Sequence, residues 1–580
     1  MCGIAGMFGP GARGDAVAAM VAHQRHRGPD AQWVVGDTDG AGVLGADRLA
    51  IIDRSPAADE ALVAPDGMRL AFNGEIYNHP ELRAELAGYP FRTRGDTEVL
   101  LAAHHRWGDA AFPRLIGMFA ALLWDERHQR LVAVRDRFGV KPLYYHQRPD
   151  GTLTLASEVG ALFAAGVPAR PDATAWATYL ATGRSDGGGR TFWEGVAEVP
   201  AGHVLRWEAG TITLERWYDL VERTGDEDDP RPLPVVEAEY RALLEDSIDL
   251  RFRSDVPVGV NLSGGLDSAT LLGLVRGRPD ERVVAYTFTT GDERYDETPW
   301  VREMLRDVPH RARVTTLDPV DVPALAAAVQ RHQDAPFGGL PTLAYAQLCQ
   351  RARDDGTIVL LDGQGMDEQW AGYDYYRFAG SGQEAPVVQG TASRPVRPEA
   401  LTAEAAALVE AAADPIGFRD PLRRLQHRDL VATKLPRALR FNDRVSMQAS
   451  TELREPFLDH RLVELALRQP ADRKRRDGTG KWLLRRIAAD LIPGTLVVAP
   501  KRPVQTPQRE WLRGPLRGWA TERIDAALDA VGGTWLDEGA VRTGWQAFAD
   551  GEGDHGFFAW QWVNLGLAVE SRPAAFGVAA

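Results

Sequence analysis

The chain has 580 residues, 44% hydrophobic and 26% charged, the balance of a globular protein large enough to bury more than one core. A net charge of −14 disfavours a nucleic-acid partner, and the two cysteines, Cys2 and Cys349, exclude a disulfide framework or a thiolate-rich metal cluster. No apolar run nears the ~18 residues of a membrane helix, and the first 25 residues lack a basic stretch followed by an apolar one, so a cytoplasmic protein is expected.

Short β-rich runs predict strands at 3–8, 43–52, 70–77, 119–125, 131–136 and 143–146, with helices at 15–27 and 97–107. Several strands follow one another with no helix between them, which points to an α+β unit with mostly antiparallel pairing. Residues 221–234 read as an exposed linker. Beyond it, helices at 236–251, 268–275, 298–306 and 322–332 alternate with strands at 256–262, 282–289, 312–316 and 357–361, the pattern of a parallel sheet with helices on both faces. Residues 380–398 are expected to form a mobile loop, 473–476 (RKRR) a solvated one, and the chain from about 401 to be mainly helical. Cys349 is expected to be a buried small hydrophobe, and 517–580 offers no site.

The chain opens Met1–Cys2–Gly3. Removal of the initiator would give Cys2 both a thiol and a free α-amine, whose ordinary pKa of about 8 suits it as base for its own side chain. Asn73 offers a side-chain NH2 and Gly74 an unshielded backbone N–H, two donors suited to an oxyanion hole. Arg48 can grip a carboxylate and Asp96 an ammonium, so together with Cys2 they fit glutamine. MCGIAG, RHRGPD, RLAIID, FNGEIYN and RGDTE, in this order, resemble the glutaminase domain of class II glutamine amidotransferases, which are N-terminal-nucleophile hydrolases. The resemblance implies an αββα sandwich, attack of Cys2 on the glutamine amide and hydrolysis of a thioester. It also implies glutamine binding by Arg48, Asn73, Gly74, Glu75 and Asp96, with backbone help from Leu49 to Ile52.

In the second half, Ser263–Gly264–Gly265–Leu266–Asp267–Ser268 follows an apolar strand and opens a helix. Two glycines and a helix N-terminus suit phosphate, whereas Asp267 suits Mg²⁺. No G-x-x-x-x-G-K-[ST] is present, which disfavours a P-loop enzyme. The SGGLDS loop resembles that of ATP pyrophosphatases, and the chain from about 236 to 516 resembles the synthetase domain of glutamine-hydrolysing asparagine synthetases. By that resemblance Leu262, Thr290, Asp362 and Gly363 border adenosine and 263–268 bind phosphates. Asp267 and Asp367 share Mg²⁺, and Lys481 neutralises charge on the phosphates.

The expected domains are thus a glutaminase at 1–210 and an α/β ATP-pyrophosphatase with a helical C-terminal part at 236–580. The implied reaction takes ammonia from glutamine and joins it to aspartate activated by ATP as β-aspartyl-AMP. The substrates are small molecules, with no nucleic acid or membrane involved, and the family tendency is a homodimer. One departure bears on the acceptor. Where the family's loop reads S-G-E-G-x-D-E, this chain has Asp362–Gly363–Gln364–Gly365–Met366–Asp367–Glu368. Gln364 cannot act as a base, so either Asp362 restores the charge or the acceptor is another carboxylate, as in natural-product, cell-wall or polysaccharide chemistry. A cyclase like β-lactam synthetase needs no ammonia, and a dead scaffold would not need Cys2, Asn73, Asp96, Asp267 and Asp367 together.

Overall fold

The computed structural model describes all residues except 1, 37–39, 186–187, 277–282, 307, 309, 382–394, 412–416, 502–505 and 579–580. Among the described residues, the amino-terminal part builds two six-stranded antiparallel sheets. The first has the order β10-β8-β9-β1-β3-β2, from β1 (Cys2–Phe8), β2 (Ala31–Gly36), β3 (Gly42–Arg48), β8 (Tyr144–Gln147), β9 (Leu153–Ala156) and β10 (Ala197–Glu198). The second has the order β12-β11-β7-β6-β5-β4, from β4 (Leu62–Val63), β5 (Met68–Ile76), β6 (Gly117–Asp125), β7 (Arg130–Arg135), β11 (His203–Glu208) and β12 (Thr211–Arg216).

Alternation along the strands gives each sheet two apolar faces. Ile4, Phe8, Leu44, Ala71, Leu122 and Trp124 fill the space between the sheets. The Gly14–His23 helix covers the outer face of the first sheet, and the Asp96–Trp107 helix that of the second. This is the αββα sandwich expected.

Residues 221–234 are more tightly held than a linker. Asp219 caps a short helix, Leu220–Thr224, and buried Asp229 receives Arg231 while its N–H donates to the Arg468 carbonyl. The second sheet system follows: β13 (Val258–Asn261), β14 (Val284–Thr289), β15 (Arg311–Thr316), β16 (Val359–Leu361) and β17 (Glu452–Arg454), parallel throughout, in the order β15-β14-β13-β16-β17. The direction of winding reverses between β13 and β16, which opens a crevice at their carboxyl ends.

The expected loop at 380–398 falls largely outside the described residues. The basic run is a correction: Lys474 is 1% exposed, donating to Gln426 Oε1 at 2.9 Å and to the Leu467 carbonyl at 3.0 Å, so it is not solvated. Cys349 is fully buried. The carboxyl-terminal helices Arg517–Val531, Glu538–Ala549 and Phe557–Ser571 pack into one apolar cluster with the Ala173–Thr182 helix of the amino-terminal part. Asn564 donates to the Tyr179 hydroxyl at 3.1 Å and the Arg572 guanidinium lies 4.6 Å from the centre of the Phe163 ring, so the last helix fastens the two halves together.

Candidate functional sites

Cys2 starts β1, a central strand, opposite Arg48 on β3. Its backbone N–H donates to Asn73 Oδ1 at 3.2 Å, while Asn73 Nδ2, fully buried on β5, has no hydrogen-bond partner among the described residues. An unpartnered buried donor beside a thiol is what an oxyanion requires. Gly74 follows, and a Cβ there would lie 2.1 Å from the Met118 carbonyl oxygen on β6, so only glycine keeps β5 and β6 paired at this point. Burial pushes the Cys2 thiol up, and nearby Asp47 adds to it. A raised thiol is neutral at pH 7 and needs a base.

Arg48 is not a free fork. It pairs with Asp59 and donates to the Ile52 and Asp53 carbonyls at 3.0 and 2.6 Å, so its guanidinium is fixed by the segment expected to bind glutamine. Leu49 and Ile51 pack against Val256, Val359 and Met447 of the other half. Asp96, first residue of its helix, is buried and accepts the Ile76 N–H at 2.8 Å. Burial raises its carboxyl and that of Glu75. Glu75 forms an ion pair at 3.3 Å with Arg454, a residue of β17.

The second site lies in the crevice at the carboxyl ends of β13 and β16, a cavity of about 540 Å³. Leu262, Ser263, Gly264, Gly265, Leu266, Asp267, Ser268, Asp362, Gly363, Gln364, Asp367 and Lys481 all line it. Thr290 does not. It borders a separate hollow with Asp292, Arg294 and Trp511, and the end of β14 reaches the cavity through Tyr286, Thr287 and Phe288 instead. The Gly264 N–H already holds a carboxylate oxygen, Glu297 Oε2, at 3.0 Å, which shows the loop receiving an anion.

Lys481 bridges Asp267, at 2.6 and 2.7 Å, and Asp367, at 2.7 Å, from a left-handed backbone (φ 58°) at the start of the Trp482–Ala488 helix. A non-glycine residue in that region is costly and is kept where the site needs it. Gly372 makes room for the cluster, since a Cβ there would lie 2.0 Å from Asp367 Oδ1 and 2.3 Å from Lys481 Cε. Burial opposes ionisation of Asp367, but Lys481 and Lys501 prevail and hold it at about 2. Burial and the Asp367 charge raise Asp267. Two carboxylates beside an anion-receiving loop suit Mg²⁺, which binds through one or two carboxylates and substrate phosphates.

Sequence reasoning did not single out Lys501, which pairs with Asp367 from an irregular segment carrying no motif. It also gave Tyr345 and Asn442 no role, yet these donate to Asp362 Oδ2 at 2.7 and 3.4 Å. Asp362 is buried and its carboxyl raised by burial. Beside it, at the end of β17, Glu455 is buried, with Oε2 unpartnered among the described residues and its carboxyl raised well above the usual range by burial and by Asp362.

The fold and the two sites define a class, a glutaminase joined to an ATP-using synthetase. Residues 1–218 match the glutamine amidotransferase domain profile and 239–571 the asparagine synthase profile. A Mycobacterium tuberculosis protein, provisionally named asparagine synthetase [glutamine-hydrolyzing], is 33% identical over 97% of this chain and 95% of its own. Asparagine synthetase [glutamine-hydrolyzing] 3 of Bacillus subtilis is 28% identical over 88% of this chain and 87% of its own. Amidase chry2 of Gibberella zeae is 29% identical, over 61% of this chain and 54% of its own. The chain therefore belongs to the asparagine synthase family, the one its motifs resemble, and is a glutamine-dependent ligase. The family uses ATP, and no helix among the described residues is long and apolar enough to cross a membrane.

Proposed function

We propose that this chain is a glutamine-dependent asparagine synthetase, with glutaminase and synthetase domains at 1–210 and 236–580. The observation that carries the reading is a shared wall. The Arg454 guanidinium pairs with Glu75 in the first site, while the Arg454 carbonyl accepts the Asp362 N–H at 2.9 Å in the second. Arg454 of β17 thus touches both a residue of the site suited to release ammonia and a residue of the site suited to activate an acid.

In this reading the free α-amine of processed Cys2 takes the thiol proton, and sulfur attacks the glutamine amide. Asn73 Nδ2 and the Gly74 N–H hold the developing oxyanion. Ammonia leaves, and water hydrolyses the thioester to glutamate. In the second site the 263–268 loop cradles the ATP phosphates while Leu262, Asp362 and Gly363 border the adenosine. The aspartate side-chain carboxylate attacks the α-phosphorus and pyrophosphate leaves, its charge met by Lys481. Mg²⁺, held by Asp267 and Asp367, would screen that charge. Ammonia then attacks the acyl carbon of β-aspartyl-AMP and AMP departs, in a pocket that must exclude water because the mixed anhydride hydrolyses. We expect a cytoplasmic homodimer.

A second acceptor is favoured by one observation. Gln364 stands in the loop position where the family has Glu, and the carboxyls nearby, Asp362 and Glu455, are buried and raised. The same chemistry on another carboxylate would fit, and amidase-named relatives are among the matches. Two measurements decide. Cys2→Ala abolishes glutamate release but spares synthesis from ammonium, and intact turnover in that variant would remove the first site. Aspartate-dependent exchange of pyrophosphate into ATP supports asparagine, whereas exchange with another acid and none with aspartate replaces it.

A further inference from the structure

The Cys2 carbonyl is held by a side chain that the other half of the protein holds in turn. Arg27 is fully buried, and its Nε donates to the Cys2 carbonyl at 3.3 Å. Its Nη1 donates to Glu158 at 2.9 Å and to Asp443 Oδ2 at 2.9 Å, and its Nη2 to Asp443 Oδ1 at 3.1 Å. Asp443 lies 416 positions downstream, on the Lys434–Gln448 helix of the synthetase half. The next residue, Arg444, also pairs with Glu158, at 2.9 Å, so two buried arginines and two buried carboxylates join across the domain boundary, with His26 at 3.1 Å from Glu158 and Lys141 at 4.0 Å from Asp443.

A bidentate Arg–carboxylate pair fixes direction as well as distance. With both Asp443 oxygens engaged, the guanidinium plane is set, and Nε is aimed at the Cys2 carbonyl. We infer that Asp443 is a positioning residue for glutamine hydrolysis: the synthetase domain sets the place of the glutaminase nucleophile through Arg27. This rests on the reading of Cys2 as nucleophile. Asp443 neither touches Cys2 nor lies among the residues proposed to bind glutamine, so its removal acts on turnover and not on affinity.

The test uses the full chain. Asp443→Asn keeps the shape but turns an NH2 toward Arg27, leaving Glu158 to satisfy both arginines. The expected kcat for glutamine hydrolysis falls roughly tenfold to a hundredfold, as for a sub-ångström misplacement, with KM changed less than about twofold. Asp443→Glu, which keeps the charge, recovers part of the loss. Arg27→Lys shows a comparable loss, and the double variant is no worse than either single one, because both act through one network. Alkylation by iodoacetamide gives a readout independent of glutamine: Cys349 is fully buried, so the reaction reports Cys2, and its rate shifts in Asp443→Asn. Circular dichroism confirms that each variant is folded. A folded Asp443→Asn with wild-type kcat and wild-type alkylation overturns the inference, as does a rise in KM alone. Absence of hydrolysis in the wild type would instead remove the proposed function, while alkylation still reads the Arg27 hold.

Discussion

At the scale of single residues, the second site depends on carboxyls kept out of water. Glu368 lines the cavity, is 3% exposed, and receives the Tyr373 hydroxyl at 2.7 Å. Burial, reinforced by the Asp367 charge, raises it from 4.5 to about 7. The folded protein therefore binds a proton between pH 4.5 and 7 that the unfolded chain does not. The contribution of this carboxyl to stability falls as pH rises through that window and levels off above it, by up to about 3 kcal/mol in all. Thermal unfolding of the ligand-free enzyme and of Glu368→Gln from pH 5 to 8 should show this decline as the difference between the two, with the variant gaining on the wild type as pH rises and the more stable protein at pH 8. An identical pH dependence in the variant would show that Glu368 ionises normally.

At the scale of elements, β5 carries the oxyanion donors only while it stays paired with β6. Gly74→Ala places a methyl group 2.1 Å from the Met118 carbonyl oxygen, with Phe119 Cα at 2.7 Å, so backbone must move and the Gly74 N–H turns away. Glutamine hydrolysis should fall at least ~100-fold, as on loss of an oxyanion donor, with ammonia-dependent synthesis retained. Retained glutamate release would mean that Gly74 serves the fold alone. The strand–turn–helix order and the SGGLDS loop were legible in the sequence because local patterns set them, alternation and paired glycines, whereas Cys2 and Asn73 were associated only through the ordered motifs that resemble the glutaminase family. The engagement of Arg48 by Asp59 was not legible, because it depends on how an irregular loop folds back. Lys474 was misread as solvated since a run of basic residues carries no mark of which one turns inward. Thr290 was misplaced because β14 meets the cavity with its last buried residues and the chain then swings toward Trp511.

At the scale of the whole molecule, the Lys434–Gln448 helix meets both sites with consecutive residues. Asn442 Nδ2 donates to Asp362 Oδ2 at 3.4 Å at the rim of the nucleotide cavity, and Asp443 grips the arginine behind Cys2. A rigid helix transmits a small displacement over one residue without loss, so a ligand that repositions Asp362 has a direct mechanical route to the thiol. Coupling of about 1–3 kcal/mol, the ordinary range for linked sites, corresponds to at least a fivefold effect. Saturating MgATP should accordingly change the iodoacetamide rate of Cys2 about fivefold or more in the wild type and leave it unchanged in Asp443→Asn. Reciprocity requires that a reversibly bound glutamine analogue alter the Kd for MgATP in the same sense and by the same factor as MgATP alters the Kd for that analogue. A wild-type rate indifferent to MgATP would leave the helix as a structural tie between two independent sites, with the contacts of the last helix to Tyr179 and Phe163 serving the same purpose.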